Sequence, residues 1–298
     1  PDIFFVRCYM DPIMQKHGLT PDQKLRKAIY DGLKVREENP KAVTILGSDF
    51  ALDETSDIRR LLKWKHIEVK ELPECNSWKS YQELADSKIF IACYPPGKYG
   101  LECQAERLRK KALYLPKYCT SMQITYRICE EMVFLTEFIN SFFAAGEDTD
   151  MHMEKSLERI TKREIALCES ALEQARKVVG DVPIMIDHTF HPRPLELAKL
   201  LLTHGFSVTR IYLDAVNPEE KDTFEWLKEQ YPELEYEPTI RPEMRMKPRN
   251  ESDVLAIGQK VAWFTGTRHF VNLVEGAGLY GFDGIRRTAE LMTEAWQE

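Results

Sequence analysis

Three features of the sequence predict an α/β fold built from two Rossmann-like units, each a parallel sheet flanked by helices. Apolar runs of strand length alternate with single amphipathic helices from residue 42 to residue 116, the alternation resumes after residue 182, and a nearly continuous helical pattern from Ser121 to Val179 lies between them. Strands joined by single crossover helices run parallel, and ligands of such sheets gather at the carboxyl ends of the strands. The predicted divisions are an N-terminal segment with a helix (residues 1–40), a first unit (41–145) and a second unit with a closing helix (146–298), with a cleft between the units.

Thr20 ahead of Pro21 reads as the cap of a helix over Pro21–Glu38. The run "AVTILGS" (42–48) is apolar without alternation, as a strand covered on both faces must be, and "DETSDIRRLLKW" after it has helical periodicity. "IEVKEL" (67–72), "KIFIAC" (88–93) and "ALYLP" follow as strands, with "SWKSYQELAD" and "GLECQAERLRKKA" as the helices between them. Glycine and acidic residues in "AAGEDTD" (144–150) mark a turn within the long helical stretch. In the second unit "VPIMID" (182–187) and "SVTRIYLD" (207–214) are strands, and "PLELAKLLLTHG", stopped by Gly205, and "PEEKDTFEWLKEQY" are helices. "ELEYEPTIRPEMRMKPRN" is polar and proline-rich. A short helix around "ESDVLAIGQ", strands "VAWF" and "HFVNLV", and a helix from Gly284 to Gln297 complete the reading.

Composition narrows the function. At 298 residues, 43% hydrophobic and 30% charged, the chain has ordinary globular composition and length for two modest cores. Its net charge of −7, with Lys and Arg dispersed, argues against a nucleic-acid surface. The apolar runs fall short of a membrane span and the first residues lack a leader pattern, which implies a soluble, cytoplasmic protein. The chain starts at Pro1 on strand-like residues, as a segment of a longer polypeptide would. Seven cysteines, none in a CxxC pair, imply free thiols with metal ligation open at single sites. Walker A, GxSxG and HExxH patterns are absent, which removes the support for nucleotide hydrolysis, serine hydrolase and zinc protease readings.

The candidate residues lie at predicted strand ends. In "IFIACYPPGKYG" Cys93 closes the third strand, where the dipole of the following helix favours a thiolate that could bind an iron cluster; the plainer alternative is a small buried thiol. "IDHTFHPRP" (186–194) brings His188, His191 and Arg193 into one loop suited to an anionic ligand or a metal cluster. "LVEGAGLYGFDGIRR" (273–287) carries four glycines, Gly276 and Gly278 among them, without the phosphate-cradling spacing, which reads as close backbone approach to a ligand or a subunit. Lys16 and His17 sit in a loop before the first helix.

Together "FFVRCYMDP", "AVTILGS", "IFIACYPPGKYG", "HTFHPRPLELAKLLLTHGFSV" and "FVNLVEGAGLYGFDGIRRTAELM" resemble, in order, the nitrogenase component 1 family and its alpha-type subunits in particular. The resemblance implies that this chain corresponds to the second and third of three Rossmann-like units, the first being absent. It implies a cluster ligand at Cys93, which with Tyr94 matches the family's strand-end "CY", and a cofactor-facing basic loop at His191, Pro192 and Arg193. The family's cofactor-ligating histidine has no counterpart here, Val274 or Glu275 standing in its place, so that Glu275 becomes a candidate second ligand or proton donor. Lys16 falls nearest the family's substrate-side glutamine, and His17 is displaced from its histidine. These departures count against dinitrogen reduction. They leave a nitrogenase-like oxidoreductase with an iron–sulfur or iron–heterometal cluster, a non-catalytic scaffold for cofactor assembly, or a metal-free two-lobed small-molecule binder. The implied partners are a beta-type homologous subunit or a second copy, in a dimer or heterotetramer, and an ATP-dependent iron–sulfur reductase.

Overall fold

The structure, a computed structural model, describes residues 5–6, 18–116, 150–246 and 250–298. The chain divides into two compact units, one of residues 1–54 and 58–117, the other of residues 55–57 and 118–298. Both are α/β units with wholly parallel sheets, as the alternation predicts.

In the first unit α1 (Pro21–Ala28) precedes β1 (Asn39–Leu46), α2 (Asp57–Trp64), β2 (Glu68–Glu71), α3 (Trp78–Glu83), β3 (Ser87–Ala92), α4 (Lys98–Leu108) and β4 (Lys111–Tyr114). The strand order β2-β1-β3-β4 places a topological switch point between β1 and β3. Residues 42–46 and 89–92 are buried at every position, which accounts for the lack of alternation in both runs. Leu46, Phe90 and Ala92 pack against Tyr30, Leu33, Leu84, Leu101 and Leu108. Thr20 caps α1 through a reciprocal pair of hydrogen bonds with Gln23. The helix is eight residues long rather than running to Glu38, because side chains of α3 and α4 take the carbonyls beyond it. Tyr81 donates to the Ile29 carbonyl, Gln82 to that of Gly32, and Arg107 to those of Tyr30 and Leu33.

The second unit contains α5 (Asp150–Val179), β5 (Ile184–Asp187), α6 (Pro194–Thr203), β6 (Val208–Tyr212), α7 (Lys221–Gln230), β7 (Glu235–Glu237), β8 (Leu255–Ile257), α8 (Gln259–Thr265), β9 (Phe270–Val271) and α9 (Gly281–Gln297). Its strand order β7-β6-β5-β8-β9 puts the switch point between β5 and β8. Ile184, Ile186, Leu255, Ile257 and Val271 bury one face of the sheet against Leu172, Val179, Phe282, Ile285 and Met292 of α5 and α9 and the leucines of α6. Met185, Tyr212, Ala256 and Val261 form a smaller core on the other face. The turn expected at 144–150 lies outside the described residues except for its last position, the first residue of α5.

Two predictions in this unit are reversed. The segment read as a helix around "ESDVLAIGQ" holds the strand β8, and "VAWF", read as a strand, lies in the helix α8. Leu255, Ala256 and Ile257 are all buried between β5 and β9, so they show no periodicity. The Asp187 carboxylate accepts the backbone N–H of Val261, the kind of first-turn satisfaction that starts a helix. Residues 235–237 of the polar, proline-rich stretch form the edge strand β7. No helix among the described residues is long and apolar enough to cross a membrane.

Candidate functional site

Each sheet brings two loops to its switch point. In the first unit these are the loop after β1, which starts at Gly47, and the loop after β3, which starts at Cys93. The glycines of the two loops touch: a Cβ on Gly47, whose φ of +81° already favours glycine, would lie 2.5 Å from the Gly97 Cα. Cys93 sits one residue beyond β3, fully buried and in no disulfide. Among the described residues no three His, Cys, Asp or Glu side chains form a group able to hold a metal ion. Among the described residues Cys93 thus stands at this switch point as a single buried thiol, outside any group of ligands that could enclose a metal centre.

In the second unit four strand ends converge. Lys260, just past β8, directs its ammonium at His188 Nε2 (3.1 Å) after β5, at Thr239 Oγ1 (2.9 Å) after β7, and toward Asp214 Oδ2 (3.8 Å) after β6. Both Asp214 oxygens are engaged, Oδ1 by the N–H groups of Thr239 and Ile240 and Oδ2 by the Thr239 hydroxyl. These bonds hold the Asp214 carboxyl below its ordinary range in spite of partial burial. Burial, and then the Lys260 charge, push the His188 pKa down, so its imidazole is neutral at pH 7 with Nε2 as the acceptor. Beneath them the buried Asp187 carboxylate accepts from Val261 N, Thr189 N and Thr189 Oγ1. Gly258, at φ +120°, leaves room for that carboxylate, since any Cβ there would overlap it. Removing the ammonium with Lys260→Met is expected to raise the His188 pKa toward its ordinary 6.5, read by NMR titration of the ring; an unchanged value would refute the contact.

The other candidates of this loop face inward. His191 is fully buried, and its Nδ1 accepts the Arg193 N–H at 3.1 Å. The Arg193 guanidinium, also buried, donates to both Glu196 oxygens (3.0 and 3.1 Å) and to Glu219. Next to them Glu220 accepts the N–H groups of Leu195 and Glu196 in the first turn of α6, and burial pushes its carboxyl up to about 8. Arg193 is thus neutralised within its own unit.

The glycine loop after β9 approaches the β5 loop closely. Glu275 and Gly276 donate their N–H groups to the carbonyls of Thr189 (2.8 Å) and Phe190 (2.6 Å). Glu275, Gly276 and Ala277 hold φ of 54°, 69° and 39°, a left-handed run that costs about 1–3 kcal/mol at each non-glycine position. Gly278 is buried. Lys16 and His17 lie outside the described residues. The structure brings His188 together with Asp214, Thr239 and Lys260. Sequence reasoning marked the loop after Asp187 but missed Lys260 and Thr239; the available signal for Lys260 was the glycine of "GQK" at residues 258–260, which starts α8.

No protein-family model matches the chain, and no curated protein matches it in sequence. Among solved structures it is similar to "Nitrogenase Cp1 at pH 6.5", with TM-score 0.57 and 11% identity over 93% of this chain and 64% of that one. It is also similar to "Nitrogenase Cp1 at pH 5", with TM-score 0.51 and 14% identity over 93% of this chain and 62% of that one. The chain therefore has a nitrogenase-like fold and spans less than two thirds of the length of these structures. At such identities the likeness concerns the fold.

Proposed function

We propose that this chain is a nitrogenase component 1-like oxidoreductase subunit that holds an iron–sulfur-type cluster through Cys93. Its electrons for reducing a small substrate would come from an ATP-dependent iron–sulfur reductase, and its partner would be a beta-type homologue or a second copy. The observation that carries this reading is the position of Cys93: a thiol one residue past the central strand β3, at the switch point of a unit in a nitrogenase-like fold. When bound, the cluster would supply one-electron redox chemistry. The chain would supply the Cys93 thiolate as ligand, with Glu275 as a candidate second ligand or proton donor. His188, Gly276 and Gly278 remain in this proposal as cofactor-binding positions, His191 and Arg193, buried within the second unit, as supports of the same loop, and Lys16 and His17 as substrate-side positions.

The test is the iron content of chain prepared or reconstituted anaerobically. Cys93→Ala is expected to lose nearly all bound iron and the associated charge-transfer absorption, and full retention would remove Cys93 as the ligand. With iron bound, transfer of the cluster to an acceptor protein without substrate turnover would identify an assembly scaffold.

A second reading, a metal-free small-molecule binder, is favoured by the His188–Lys260–Asp214–Thr239 group. Polar side chains from four strand ends at a switch point are the usual makings of a ligand site in an open α/β sheet. Wild-type chain that stays colourless and iron-free after anaerobic reconstitution would decide for it.

A further inference from the structure

Counted along the second unit, its strands lie in the order third, second, first, fourth, fifth, which is the order of dinucleotide-binding sheets. In those sheets two positions divide the ligand between them. An acidic side chain at the end of the second strand takes the ribose hydroxyls, and the N-terminus of the helix after the first strand takes the phosphates. Here the first position is present and the second is filled. Asp214 lies two residues past β6, the second strand. At α6, the helix after the first strand, Pro194 has no N–H, the N–H groups of Leu195 and Glu196 both end on Glu220 Oε1 (2.9 and 3.0 Å), and that of Leu197 goes to the Arg193 carbonyl. The first turn of α6 therefore has no donor left for a phosphate oxygen.

The charges and hydrogen bonds of the strand-end group narrow the ligand further. Two carboxylates, Asp214 and the buried Asp187, stand against one ammonium, Lys260, with His188 neutral, a balance that disfavours an anion. Of its three protons the ammonium directs two at His188 Nε2 and Thr239 Oγ1, and at 3.8 Å Asp214 Oδ2 is too far for a third bond. Asp214 Oδ1 takes two N–H groups, whereas Oδ2 takes the Thr239 hydroxyl and keeps a lone pair to accept with. One donor and one acceptor thus stand side by side. The side chains of His188, Asp214 and Lys260 are 34%, 25% and 37% exposed, so a solute reaches them. A carboxylate ligand would meet Asp214 and an amine would meet Lys260. A neutral pair of adjacent hydroxyls matches both, one accepting from Nζ while its neighbour donates to Oδ2.

We propose that the strand ends of the second unit bind the vicinal diol of a neutral sugar or nucleoside, with Asp214 and Lys260 as its partners, and that a phosphate on the ligand adds nothing to binding. The proposal rests on the reading of this group as a small-molecule site, and it is independent of iron at Cys93.

The experiment follows the NMR signals of the His188 ring in the full chain, identified by their loss in His188→Gln, during titration with methyl ribofuranoside, adenosine, 2′-deoxyadenosine, AMP and inorganic phosphate. Adenosine or the ribofuranoside is expected to shift these signals saturably. The 2′-deoxy compound should bind about 10-fold or more weakly than adenosine, AMP should stay within about 3-fold of adenosine, and phosphate should leave the ring unmoved. Asp214→Asn and Lys260→Met should each weaken binding about 10- to 100-fold. The comparison of ribo- with deoxy-compound in wild type carries the test where a variant folds poorly. Binding of the ribofuranoside as tight as that of adenosine identifies a sugar ligand, and binding of adenosine alone a nucleoside; either upholds the diol. A shift with phosphate, or equal binding of adenosine and 2′-deoxyadenosine, would overturn the diol and keep the site. Silence of the His188 signals toward these compounds and toward a broad set of neutral and charged fragments would remove the small-molecule reading as well.

Discussion

Gly258→Ala is expected to destabilise the second unit by about 3–5 kcal/mol, lowering its thermal midpoint by about 10 °C. Two costs combine. The residue has φ 120° and ψ 153°, a region that essentially only glycine occupies. An added methyl would also land on the Asp187 carboxylate, which is fully buried and satisfied by Val261 N, Thr189 N and Thr189 Oγ1. Moving that carboxylate strips a buried charge of its donors and releases the first turn of α8, which carries Lys260 to His188. The clash predicts strong coupling: Gly258→Ala with Asp187→Ala should cost clearly less than the sum of the two, because the second change removes what the methyl strikes. Additive losses, or a Gly258→Ala variant within 1 kcal/mol of wild type, would show that the close approach does not govern this strand end.

Why the sequence reveals some of this and hides the rest follows from the range of each interaction. Burial on both faces writes itself into consecutive residues, so β1 and β3 are legible as apolar runs, and the Thr20–Gln23 cap announces the start of α1. The end of α1 is not legible, because it is set by Tyr81, Gln82 and Arg107, some fifty to eighty residues away. Likewise "VAWF" has the β-branched and aromatic composition of a strand, and what makes it helical is a carboxylate 74 positions earlier. At the candidate sites, strand-end position is readable and partnership is not. Arg193 reads as a basic group facing a ligand until Glu219, in the loop before α7, is seen to neutralise it. Cys93 is legible as a residue at the end of a strand, whereas the contact of Arg26 in α1 with the neighbouring Tyr94 leaves no mark on that loop's sequence.

Arg59→Met is expected to cost the first unit about 3–5 kcal/mol at alkaline pH and distinctly less in acid. Arg59 on α2 donates to Glu71 Oε1 from Nε (3.2 Å) and Nη2 (2.6 Å), and reaches Glu74 (2.6 Å) and Glu54 (2.9 Å). Glu71 is 2% exposed and otherwise accepts from the Leu52 N–H. Burial raises its carboxyl from 4.5 to about 7 although Arg59 pulls the other way. The folded wild type therefore holds an extra proton between those values, and the contribution of Glu71 to stability falls as pH rises from 4.5 to 7 and is flat above. Without Arg59 the largest opposing influence is lost and the folded pKa climbs further, so the variant goes on losing stability past pH 7 where wild type has levelled off. Urea unfolding of the full chain at about pH 5.5 and 8.5 should show the gap between the two proteins widening at the higher pH; a gap that is constant or narrows would mean that Glu71 is not the buried charge Arg59 serves. Arg59→Met with Glu71→Leu should recover most of the loss, since a buried pair replaced as a whole leaves no orphaned charge.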